Sequence, residues 1–199
     1  MTIQYDNIEI FKKNITSFKE VSQDTDGQEP GYMTHSEIQV VNFDKVKEDY
    51  IRDMKLFCTP CSNDALYFGK NNKVYFIEFK NGVMKKEKVY NVYNKIYDSL
   101  LIFNDIVHEN ISFCRENVIF ILVYNESKNP DRVDGVKNED SPKAAIGKYF
   151  SAKAKKRYVR FGLNKFKKLY FQDVFTYTEK EFENIFLQLL PVNTEGKKC

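Results

Sequence analysis

Several things are scarce in this sequence of 199 residues, and each scarcity excludes a class of function. There are two histidines, His35 and His108, far apart in sequence, and four cysteines, Cys58, Cys61, Cys114 and Cys199. Cys58-Thr-Pro-Cys61 is a CxxC, but a structural zinc site needs a second ligand pair, and no such pair follows. A thioredoxin-type motif would open a helix, whereas Cys61 leads into Ser-Asn-Asp and a strand-like run; two reduced, partly buried thiols are the simpler reading. Glycine is limited to 8 residues, and no Walker loop, dinucleotide fingerprint or nucleophile elbow is present. No apolar run approaches the roughly 18–20 residues of a membrane span, and the first residues lack the pattern of a signal peptide. The expectation is a cytoplasmic protein without a membrane partner, in which the sequons at Asn14, Asn110 and Asn125 carry no meaning.

Hydrophobics at 42% and aromatics at 15% argue for a folded core, and the length fits one domain spanning 1–199. The formal net charge of +3 conceals a division. Residues 142–168 hold ten Lys/Arg and no Asp/Glu, so the remainder sums to −7. Lysine dominates arginine, 26 to 5, as AT-rich coding would also produce. Within the basic stretch, Lys148, Lys153, Lys155, Lys156, Arg157 and Arg160 interleave with aromatics and read as a face for nucleic-acid phosphates. The alternative is lysines that merely solvate a helix and strand.

Residues 1–20 have amphipathic spacing, and a polar Gly/Pro loop follows. Ile38–Val41 suggests a strand, and Asp44 onward suits a helix. Asp64–Phe68 and Lys73–Lys80 flank Gly69-Lys70-Asn71-Asn72 and predict a β-hairpin. Apolar residues from Val89 to Val107 at 3- and 4-residue spacing predict a long helix over 87–109. Val118–Tyr124 reads as a buried strand, and 125–141 as a long polar loop. A helix from Pro142 to about Lys156, strands at Tyr158–Leu163 and Leu169–Tyr177, and a last helix opened by a Thr178–Glu181 capping box complete the basic extension, about 142–190, before a tail at 191–199.

Chemistry concentrates on the hairpin. Val74, Phe76, Glu78 and Lys80 share one face of a strand, so two apolar residues give way to a carboxylate and an ammonium. If residue i pairs with 142 − i, Asp64 faces Glu78; if the sum is 143, Asp64 points to the opposite face. The first register is expected, and it requires a hairpin loop of three or five residues. Two carboxylates so placed repel unless a cation lies between them, and Mg²⁺ (or Mn²⁺), which takes one or two carboxylates and keeps several waters, suits that role. Lys80 would orient a water or neutralise charge in the transition state. The bland alternative is a surface Glu/Lys pair worth under about 1 kcal/mol.

Asp64, thirteen residues, then Glu78-Phe79-Lys80, between a helical segment and a long helix followed by a strand, resembles the PD-(D/E)XK nuclease superfamily. The resemblance covers about residues 36–124, with Asn63 where the name-giving proline would stand. It implies an α/β fold with a restriction-endonuclease-like core, ordered helix, three-stranded meander, helix, strand. It also implies a metal-dependent hydrolase cutting phosphodiester bonds of DNA or RNA, with Asp64 and Glu78 as metal ligands and Lys80 as the water-positioning residue. Members often add a first-helix glutamate, for which Glu37 is favoured over Glu48, and polar residues from the second helix. Lys88, Asn91, Lys95, Asp98 and Ser99 fall within about 100° of arc on that helix. Lys95 and Ser99 are the candidates for a catalytic role. A homodimer is compatible with this reading, and the competing one is a non-catalytic module that keeps the fold and binds nucleic acid or a protein.

Overall fold

A computed structural model describes residues 5–24, 31–130 and 159–190. Their framework is a mixed six-stranded sheet in the order β1-β4-β5-β6-β7-β8. The strands are β1 (Ile15–Ser17), β4 (Gln39–Asn42), β5 (Ala65–Phe68), β6 (Val74–Lys80), β7 (Val118–Tyr124) and β8 (Asp173–Thr178). β2 (Gln23–Asp24) and β3 (Gly31–Tyr32) form a separate two-stranded ribbon. β1, β4, β5 and β6 pair antiparallel in succession, and β7 and β8 continue parallel to β6. The chain is thus mixed α/β.

The hairpin takes the expected register. Leu66 lies opposite Phe76 and Phe68 opposite Val74, leaving a five-residue loop, 69–73. Asn71 and Asn72 turn that loop at φ 56° and 60°. Gly69 is needed there because a Cβ would stand 2.7 Å from a ring carbon of Tyr75.

The sheet is covered on both faces, so its central strands are apolar on both sides. On one face lie Val74, Phe76, Phe120 and Leu122, packed with Val92, Ile96 and Phe103 of the long helix α4 (Lys86–Val107). Phe76 meets Phe43 and Phe103 edge-on at centroid distances of 5.2 and 5.5 Å. The short helices α1 (Glu9–Lys12), α3 (Phe43–Tyr50) and α5 (Ile111–Asn117) close this side with Phe11, Val46 and Cys114. On the other face, Ile77, Phe79, Ile121 and Val123 meet Phe18 of α2 (Phe18–Val21) and Phe182 and Phe186 of the last helical segment. That segment opens on the Thr178–Glu181 capping box and passes through a π turn at Phe182–Phe186.

Within the amphipathic stretch 1–20, Ile15–Ser17 pairs with Val41, Val40 and Gln39 as an edge strand between α1 and α2. Three expectations change. The first helix of the expected core, α3, does not precede a three-stranded meander but stands between its first two strands, β4 and β5. Of the expected strand at Tyr158–Leu163, the described part is not extended: Phe161 and Gly162 have φ of 60° and 69°, and a 3₁₀ turn follows at Leu163–Phe166. Lys168, at φ 63°, similarly delays the next strand to Asp173. The predicted helix from Pro142 and the tail lie outside the described residues. No helix among the described residues is long and apolar enough to cross a membrane.

Candidate active site

The site lies where β6 leaves the core. The odd residues of β6, Ile77 and Phe79, are buried against α2 and the last helix, which turns Glu78 and Lys80 to the α4 side. Continuing the β5–β6 register by one step sets Asp64 against Glu78. Asp64 is pinned by both of its oxygens: Oδ2 accepts the Phe79 N–H at 2.6 Å, and Oδ1 receives Lys95 Nζ at 3.0 Å. Its backbone carbonyl accepts the N–H of Phe43, the first residue of α3, at 3.1 Å.

The approach to Asp64 is laced to the two helices above it. The Cys61 N–H donates to Asp98 Oδ2 at 2.8 Å, and the Asn63 N–H to Ser99 Oγ at 2.8 Å. The Ser62 hydroxyl donates to Asp44 Oδ1. Asn63 is fully buried, and its side-chain amide has no hydrogen-bond partner among the described residues.

Glu78 is fully buried, and its Oε1 faces two ammonium groups, Lys80 Nζ at 2.6 Å and Lys95 Nζ at 2.7 Å. Oε2 has no hydrogen-bond partner among the described residues. Burial and then repulsion by Asp64 push the Glu78 carboxyl up to about 7, while Lys95 and Lys80 pull it down. Burial disfavours charge on Lys95, but Glu78 and Asp64 outweigh it and hold the ammonium above the ordinary lysine range. Removing such charges from water costs several kcal/mol per ion, so this cluster is a poor device for stability.

Of the residues expected here, Asp64, Glu78, Lys80 and Lys95 come together. Ser99 is at the base of the site, but its buried hydroxyl is committed to the Asn63 N–H and positions the segment leading to Asp64. Asp98, on the same helix face, does the same through Cys61. Glu37 is elsewhere: its side chain is 70% exposed and pairs with Lys19 at 3.4 Å, because it precedes β4 rather than lying on α3. Glu48 is exposed. The carboxylate that α3 contributes is Asp44, in its first turn, just after the Asn42 N-cap. Burial raises the Asp44 pKa; the Ser62 hydrogen bond opposes that shift and Asp64 adds to it. Asp44 was hidden in the sequence because an acidic residue at a helix start already has a bland explanation in the helix dipole.

Asp44, Asp64, Lys80 and Lys95 line a cleft of about 660 Å³ whose other walls include the Gln23–Asp24 strand, the 81–84 turn, Lys88 and Lys128. It opens beyond the carboxyl ends of β6 and β7, the usual location of ligands in open α/β sheets. Lys88 and Lys128 are exposed and form no ion pair among the described residues. Lys148, Lys153, Lys155, Lys156 and Arg157 lie outside the described residues. Arg160 is engaged internally, donating to the carbonyls of Asn129 at 2.8 Å and Pro130 at 3.4 Å and stacking over Tyr124 and Phe161. Cys58 is exposed and Cys61 half-buried, both as free thiols.

The donor set discriminates among metals. Among the described residues no group of three or more His, Cys, Asp and Glu gathers as a metal cage, so a zinc-type site is not offered. Two adjacent carboxylates, one with a buried unpartnered oxygen, do fit Mg²⁺ or Mn²⁺, which need few protein ligands and retain water. Compared with known proteins, the chain matches no family model, no curated protein and no solved structure.

Proposed function

We propose that this protein is a metal-dependent nuclease of the PD-(D/E)XK type, hydrolysing phosphodiester bonds of DNA or RNA with Mg²⁺ or Mn²⁺. One observation carries the reading: Asp64 and Glu78 stand side by side at the ends of neighbouring strands, with Lys80 on the same face and in contact with the buried Glu78, and Asp64 and Lys80 line an open cleft. Asp64 and Glu78 would hold the metal, which when bound polarises a phosphoryl oxygen and lowers the pKa of a water. Lys80, anchored 2.6 Å from Glu78, would hold the attacking water or offset charge on the phosphorane-like transition state. Asp98 and Ser99 would fix Asp64 through the 61–63 backbone. Lys88 and Lys128, at the cleft wall, offer charge to neighbouring phosphates.

A second reading rests on the same ion pairs. Lys80 and Lys95 already neutralise the two carboxylates, which suits a non-catalytic module that binds nucleic acid or a protein partner. Cleavage of mixed DNA and RNA substrates with Mg²⁺ or Mn²⁺ separates the two. The nuclease reading expects cleavage that falls at least about a hundredfold in Glu78→Ala, the scale of removing one charge-stabilising group. Binding without cleavage in the wild type would favour the module.

A further inference from the structure

The cation between Asp64 and Glu78 is Lys95. Its Nζ is 3.0 Å from Asp64 Oδ1 and 2.7 Å from Glu78 Oε1, on the two carboxylates that would hold a metal. A metal ion and an ammonium cannot share that position. The geometry points to Lys95 as an exchangeable counter-ion: it fills the cation position when no metal is bound and swings into the cleft when a divalent metal takes that position, where its ammonium meets a phosphate of a nucleic-acid strand. This inference rests on the metal-dependent reading above and adds a coupling between metal and substrate to it.

Three features make the exchange feasible. First, Lys95 alone links both carboxylates, since Lys80 touches only Glu78. Lys80 can therefore stay in place while Lys95 leaves. Second, the route is open. Lys95 lines the cleft, and side chains on a helix lean toward its N-terminus, here toward Lys88 two turns earlier on the same wall. Third, the other carboxylates along the cleft are Glu20, Asp24 and Asp44, of which Asp24 already accepts from the Asn81 amide and Asp44 from the Ser62 hydroxyl. A phosphodiester would give the displaced ammonium a new anionic partner. Each ligand then favours the other, because a binding coupling is reciprocal.

The experiment uses the full chain and reads lysine acetylation by an acylating reagent with peptide mass mapping, alongside calorimetric titration of Mn²⁺ and Mg²⁺. Without divalent metal, Lys95, whose side chain is 16% exposed and paired with both carboxylates, is expected to acetylate at least about tenfold more slowly than exposed Lys88. Saturating Mg²⁺ should accelerate Lys95 by a comparable factor and leave Lys88 unchanged. In Lys95→Met, Mn²⁺ should bind about tenfold or more tightly than in the wild type, since one charge no longer competes. The wild-type labelling stands even if that variant fails to fold. If Mn²⁺ and Mg²⁺ bind while Lys95 stays protected, the exchange is refuted and the metal site survives. If neither metal binds the wild type, the exchange and the metal-dependent reading fall together.

Discussion

Helix α3 has a charged cluster at each end, built from similar side chains and meeting different fates. At its end, Asp49 accepts from the Asn14 amide at 2.7 Å, pairs with Lys13 at 2.9 Å and takes Arg52 on its other oxygen. At its start, Asp44 overlooks Asp64, Glu78, Lys80 and Lys95. The first cluster is open to water: the Lys13 and Arg52 side chains are 42% and 64% exposed. There the hydrogen bonds from Asn14 and Lys13 hold the Asp49 carboxyl below its usual range. In the second, burial wins and drives Glu78 and Asp44 upward. Water around the lysine and arginine of the first cluster leaves it a surface brace, while its exclusion from the second raises the carboxyl pKa values there. Sequence composition does not separate them; position relative to the sheet does.

The largest break in that comparison comes from Asp64→Asn. It keeps an acceptor for the Phe79 N–H but removes a charge, so the Mg²⁺-dependent cleavage rate should fall by about a hundredfold or more, whereas Asp49→Asn should leave it within about twofold. Ser99→Ala comes next. It strands the buried Asn63 N–H, which costs about 1–3 kcal/mol in urea unfolding and lowers the cleavage rate by loosening Asp64. Removing Asp49 should cost less, under about 1 kcal/mol.

Stability against pH should slope in opposite directions for the two clusters. Glu78 has a raised folded pKa, so its contribution is present in acid and lost as pH climbs through about 7. Glu78→Gln should therefore gain stability relative to wild type between about pH 5 and pH 8. Asp49 has a lowered folded pKa, so its contribution holds at both of those values and fades only as pH falls below the ordinary aspartate range. Urea midpoints for Glu78→Gln and Asp49→Asn, measured from pH 8 down through the ordinary aspartate range, check both signs. The smallest effect concerns thiols. Burial pushes Cys114 up to about 11, so alkylation near neutral pH should mark exposed Cys58 and spare Cys114 until the chain unfolds.

Where local pattern and tertiary need agreed, the fold was legible. The pleat of Val74–Lys80 and asparagines able to turn at positive φ fit one register, and that register put Asp64 beside Glu78. The long helix and β7 followed from periods that no neighbour disturbed. Legibility failed where a distant strand overruled local spacing, as when Val41 drew Ile15 into the sheet. It failed again where a single residue at positive φ, such as Phe161 or Lys168, ended an extended run. Within the site, Ser99 was found but its task was not, because an exposed and a buried serine read alike. Neither Glu37 nor Glu48 reaches the cleft and Asp44 does, because the start of α3 relative to β4 decides which acid enters it.

The central claim is that Asp64 and Glu78 form a divalent-metal site whose purpose is phosphodiester cleavage. Its most direct test is the Mg²⁺-dependent cleavage of labelled DNA and RNA by the wild type and Glu78→Ala, with Mn²⁺ titrated calorimetrically into both. The account predicts one strong Mn²⁺ site and cleavage in the wild type, and the loss of both in Glu78→Ala. Undiminished cleavage by Glu78→Ala would contradict it.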